Sequence, residues 1–163
     1  MRAWAWAALA SMAIGTQPAS AAFAFRADEL DAQLNRVAAE LRLANRFERQ
    51  RCETSIQYSC WYEGKGVTLV AVADAPGEPA HSVRVVFVFS GDNSGIFSAI
   101  TTWGFVMAAA DPSLSKDDRG DIFAKLIPAV ENETTQTETR GETRYSLTVS
   151  NIAGIWFNAD SLR

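Results

Sequence analysis

From residue 28 onward the chain shows two hydrophobic rhythms. Between Asp28 and Arg51 the apolar side chains Leu30, Leu34, Val37, Leu41 and Ala44 recur in steps of four and three, which puts them on one stripe of an α-helix. Asp28, Glu29 and Asp31 fall in its first turn and Arg42, Arg46, Arg49 and Arg51 toward its far end, the polarity that the helix dipole favours. Asn45 is an alternative stop, after which Arg46 to Glu53 runs on as an extended segment.

Beyond Ile56 the rhythm shortens to two. Ile56 to Tyr62, Gly66 to Ala73 and Ser82 to Ser90 are rich in aromatic and β-branched residues and predict three strands. The turn Glu63-Gly64-Lys65-Gly66 and the longer connection Asp74 to Pro79 separate them. In the third strand Val83, Val85, Phe87 and Phe89 point one way and Arg84, Val86 and Val88 the other. A strand so apolar on both faces belongs in the middle of a sheet with cover on both sides.

Helical spacing returns over Ile96, Phe97, Ile100, Trp103, Gly104 and Met107, ahead of Asp111-Pro112. Ser115 and Asp118 form a capping box for a further helix carrying Ile122, Phe123, Leu126 and Ile127, which Pro128 ends. Glu131 to Arg144 holds no aliphatic or aromatic residue and reads as a solvated loop or Thr-rich edge strand. Tyr145 to Val149, a turn at Ser150-Asn151 and Ile152 to Asn158 predict a closing hairpin. The order is α-βββ-αα-ββ, an α+β domain over residues 22–163 whose mainly antiparallel sheet has about five strands with helices packed on it.

Residues 1–21 stand outside that domain. Met1-Arg2 is a short positive start, Ala3 to Gly15 is apolar apart from Ser11, and Ala19-Ser20-Ala21 is an A-x-A cleavage pattern, so the segment reads as a secretory signal peptide. The apolar run is too short for a membrane anchor, which needs about 20 residues. Export makes a disulfide the default for the two cysteines, Cys52 and Cys60. Their spacing is not C-x-x-C, and no second histidine is present to complete a metal site with them.

Composition narrows the function classes further. The 163 residues are 48 % hydrophobic and 21 % charged, with 15 Lys+Arg against 19 Asp+Glu, which is ordinary globular composition. The net charge of −4 and the absence of a basic block argue against a nucleic-acid partner. The single histidine, His81, excludes any two-histidine metal centre within one chain, and no cofactor is implied. Asp111, Asp117, Asp118 and Asp121 lack the spacing of a calcium loop and suit helix capping. Gly91 to Gly95 surrounds Ser94 but is not the G-x-S-x-G of a nucleophile elbow, and Ser94 stands where a helix N-cap belongs.

What remains is surface. Arg42, Arg46 and Arg49, at i, i+4 and i+7, would form a basic stripe on the first helix. Trp61 and Tyr62 are adjacent, so one faces inward and the other outward, and Trp156 is opposite in phase to Ile155 and Phe157. An outward aromatic is either covered by the first helix, the favoured reading, or a contact surface. With Arg84, the three arginines, Trp61 and Trp156 are the candidate binding residues. The leading reading is an exported, non-catalytic domain that binds a protein, peptide or envelope component. Its rivals are a small hydrolase using Ser94 and His81, and a secreted enzyme inhibitor presenting the loop between Cys52 and Cys60. No motif singles out a family. Amino-terminal sequencing of the exported protein should begin at Ala22; an intact Met1 on membrane-bound protein would overturn the signal-peptide assignment.

Overall fold

The computed structural model describes residues 22–87, 93–150 and 154–162, leaving aside the side chains of 93–95. After a 3-10 turn over Ala27–Glu29, the elements are α1 (Leu30–Glu40), β1 (Glu48–Thr54), β2 (Tyr58–Gly64), β3 (Val67–Ala73) and β4 (Ser82–Phe87). Then come α2 (Asn93–Ala110), α3 (Lys116–Leu126), the short α4 (Pro128–Asn132), β5 (Thr135–Arg140), β6 (Thr143–Ser150) and β7 (Gly154–Ser161). All seven strands join one antiparallel sheet in the order β1-β2-β3-β4-β7-β6-β5.

The class is α+β, but the expected five strands and their order are corrected. Both extra strands are sheet edges whose exposed residues carry no alternating apolar pattern. In β1 all but Cys52 are exposed, and in β5 the alternation is Thr outward and Gln, Glu or Arg inward. The long first helix is also corrected. It stops after Glu40, where Arg42 adopts a left-handed φ of 56° and Arg42 N–H and Leu43 N–H donate back to Ala39 and Ala38 carbonyls. This is the Schellman closure normally signalled by glycine.

Helix α3 starts as its sequence predicts. Ser115 Oγ accepts from Asp118 N–H while the Asp118 carboxylate accepts from both Ser115 N–H and its hydroxyl. These bonds, the hydroxyl's first, hold the Asp118 carboxyl below its ordinary pKa. The capping contribution is therefore complete above the unfolded pKa and fades as pH falls through the lowered folded value.

Every described helix packs on one face of the sheet. Trp103 of α2 stacks on Phe157 at 5.6 Å, and Phe105 meets Phe47 edge-on at 5.9 Å. Tyr62 donates its hydroxyl to the Ala27 carbonyl, and burial raises its pKa. Leu30, Leu34, Val37 and Ala38 of α1 join the same core as Leu69, Val85, Phe157 and Leu147. The expectation of cover on both sides of β4 is thus corrected as well. The strand is central, with apolar Val83, Val85 and Phe87 beneath helices, but α1 lies on the same side as α2. Val88 and Phe89 lie outside the described residues.

Cys52 and Cys60 form a disulfide, opposite each other in the β1–β2 register with Cα atoms 4.0 Å apart. It staples an edge strand that buries almost no apolar surface of its own. Replacing both cysteines with alanine should lower the unfolding free energy by about 2.5 kcal/mol, the loop-closure value for so short a loop, read from urea denaturation. A loss below about 0.5 kcal/mol would show that the β1 ladder holds without its staple.

Candidate functional site

The sheet face away from the helices carries the clearest concentration of binding chemistry. Alternation places Trp61, Val70, Arg84, Asn158 and Ser146 side by side across five strands, because each is the register partner of the next. The adjacent row on the same face runs Thr68, Val86, Trp156, Thr148 and Thr135. Strands lie about 4.8 Å apart, so Trp61 is roughly 10 Å from Arg84 across the sheet, and Trp156 is its diagonal neighbour. Val72 is buried, whereas Val70, Val86, Trp61 and Trp156 are half-buried and Arg84 is exposed.

A shallow cavity of about 320 Å³ opens here, lined by Arg84, Thr148, Ser150, Trp156, Asn158 and Asp160. Its polar groups are largely engaged with one another. Asp160 accepts from Ser82 Oγ at 2.7 Å and faces Arg144 at 3.6 Å, and Asn158 donates to Ser146 Oγ at 3.0 Å. Trp61 carries the Arg51 guanidinium over its ring at 4.7 Å, a cation–π contact. Arg84 differs: among the described residues it has neither an ion pair nor a hydrogen bond. A guanidinium fixed on a central strand beside an indole has five donors to offer a planar anion and a ring to stack against.

Of the sequence candidates, then, Trp61, Arg84 and Trp156 share one face. The arginine stripe does not form, since α1 ends before it. Arg42 sits in the left-handed turn, Arg46 in the following linker with its guanidinium on the Asn45 carbonyl, and Arg49 on β1, donating to the Asp28 carbonyl at 2.8 Å. Of the Ser94 and His81 pair, only His81 has a described side chain. His81 lies at the start of β4, its Nε2 3.5 Å from Asp74 Oδ1 and 3.3 Å from Gln57 Nε2. Helix α2 enters at the other end of that strand, where Ser98 donates to the Lys65 carbonyl in the β2–β3 turn. The six residues of β4 between His81 and that end of the strand span about 20 Å. The Ser94 side chain itself lies outside the description, and α2 begins at Asn93, not after a Ser94 cap.

Two further surfaces stand out, the first on the disulfide loop that the sequence already offered as an inhibitory element. At the tip of the β1–β2 hairpin, Ile56 is 97 % exposed, inside the disulfide-closed loop and next to Gln57, which meets His81. The second is an apolar cleft of about 360 Å³ between the end of α1 and helices α2 and α3, where Leu41 and Leu43 stand exposed. The cleft's only advance signal was the weak one of isolated apolar residues in polar context, Leu41 and Leu43.

Among the described residues no cluster of three metal-ligating side chains occurs and no helix is long and apolar enough to cross a membrane. Comparison with protein-family models, with curated proteins and with solved structures finds no significant match.

Since the Arg84 side chain makes no ion pair or hydrogen bond among the described residues, Arg84→Thr should leave stability within about 0.5 kcal/mol of the parent, threonine being well suited to a strand. Loss of more than about 1.5 kcal/mol in urea denaturation would make Arg84 a structural residue and remove it from the site.

Proposed function

We propose that this chain is an exported, non-catalytic interaction domain, periplasmic or secreted, that holds a segment of a partner protein or envelope component on the open face of its sheet. The observation that carries this reading is Arg84, an unpaired guanidinium exposed at the centre of a seven-stranded sheet between two half-buried tryptophans. A partner segment that suits this face brings a carboxylate to Arg84 and apolar or aromatic side chains to Trp156 and Val86. Tryptophan and arginine in such a pairing are the residue types that dominate interface energetics. The Cys52–Cys60 disulfide supports export, because oxidising compartments maintain such bonds and reducing ones do not.

The second reading, an inhibitor or plug that inserts the β1–β2 hairpin into a cleft, is favoured by Ile56. An isoleucine left almost wholly in water at the tip of a disulfide-braced turn suits insertion into an apolar pocket.

One experiment separates the two. Proteins that co-purify with the mature domain from envelope extract should be lost on Arg84→Glu and retained on Ile56→Asp if the sheet face binds. The opposite pattern moves the contact to the hairpin tip. Retention of every partner by both variants, each with unchanged thermal stability, refutes both surfaces.

A further inference from the structure

On the helical side of the molecule, an apolar cleft opens between α1, α2 and α3. Leu41 and Leu43, in the closing turn of α1, are 52 % and 42 % exposed and form one wall; Ile100, Phe105 and Phe123 form the floor and the far side. Gly104 and Gly120 also line it, each in the interior of a helix. Glycine weakens a helix, and the usual compensation is that a neighbouring backbone passes where a Cβ would stand. Neither position has that compensation, as a Cβ on either would meet nothing within 4 Å. The two glycines keep space open without any internal contact that uses it.

The charge of the lining is one-sided. Lys116 and Arg119, both on the first turns of α3, are the charged residues among those described that line the cleft, and no carboxylate among the described residues joins them there. Arg119 is held with its guanidinium on the Leu114 carbonyl at 2.9 Å, while Lys116 is exposed and has no partner among the described residues. Of the acids of α3, Asp118 is engaged in the cap with Ser115, and neither Asp117 nor Asp121 lines the cleft.

The geometry points to a binding site for one free fatty acid, its acyl chain laid along Leu41, Leu43, Gly104 and Phe123 and its carboxylate at Lys116 and Arg119. At about 30 Å³ per water-sized group, 360 Å³ holds about a dozen methylenes, a medium-length chain. A second copy of this chain is a poorer occupant, since two-fold pairing across the cleft would bring Lys116 and Arg119 toward their own counterparts. This site is separate from the sheet face, which lies on the opposite side of the β-layer.

Isothermal titration of the exported, disulfide-bonded protein with dodecanoate below its micelle concentration tests the assignment. One dodecanoate is expected to bind per chain, with dodecanol at least about tenfold weaker. Gly104→Leu fills the cleft and should cost at least about tenfold in affinity while the melting temperature stays level or rises, because leucine is the better helix former. Such a loss cannot be assigned to misfolding. Lys116→Glu should weaken dodecanoate about tenfold and leave dodecanol unchanged. Absence of binding, equal affinity for the acid and the alcohol, or full affinity in Gly104→Leu overturns the proposal. A dimer in sedimentation that Gly104→Leu disperses would instead identify the cleft as a contact between copies. Binding to anionic phospholipid vesicles without binding of free dodecanoate would assign it to a membrane surface.

Discussion

The pairing of β4 with β7 is the joint on which the structure depends. Every other strand contact is made by neighbours in sequence, β1 to β4 as one meander and β5 to β7 as another. Only β4 and β7 meet across a long separation, from Ser82 opposite Asp160 to Phe87 opposite Ile155. Backbone ladder alone would not select this register. The inner side chains Val83, Val85, Phe157 and Ala159 are all fully buried, and Trp103 lies flat on Phe157 above the joint. A slip of one residue would turn those side chains to the outer face and bring Arg84 and Asn158 into the core. The apolar clamp from α2 therefore fixes the register, and the register creates the outer rows in which Arg84 and Trp156 become neighbours.

With all the described helices on one side of the sheet, the described residues present two chemically different surfaces. The outer face of the sheet is flat and amphipathic, with indoles and valines interleaved among hydroxyls, amides and a free guanidinium. Flat sheet faces suit extended or planar partners, and their specificity comes from few anchored side chains. The helical side is ridged, and its cleft is apolar with positive charge at one end. Because the β-layer lies between, occupancy of one surface has no direct steric effect on the other.

Local order was well written in the residues. The Ser115 and Asp118 capping box needs only four consecutive positions, and the hairpins around Gly66 and after Tyr145 need only alternation beside a turn. Errors arose where a tertiary partner replaced a local signal. Leu41 continues the helical stripe of Leu30, Leu34 and Val37, yet the chain leaves the helix there because Phe47 has to reach the core. Asn35 holds Phe47 in place by accepting its N–H at 3.0 Å and donating to its carbonyl at 2.9 Å. Arg42 takes the left-handed position that a glycine would have advertised. β1 and β5 were obscured for the opposite reason, since an edge strand is held by ladder bonds and, in β1, by a disulfide, neither of which leaves a hydrophobic period.

By itself the sequence determined the elements with strong periodicity, the pairing of its only two cysteines, and the opposite phase of Arg84 to Val83 and Val85 and of Trp156 to Ile155 and Phe157. Those properties depend on neighbours within a few positions, which is the range over which propensity, capping and alternation act. Tertiary structure decided which face stayed open, because the side on which α1 packs follows from where Phe47, Phe105 and Tyr62 can be buried together. It also decided that three tryptophan and arginine positions, scattered over almost a hundred residues, share one surface. That outcome requires the β4–β7 register, and no stretch of chain shorter than the whole sheet contains it.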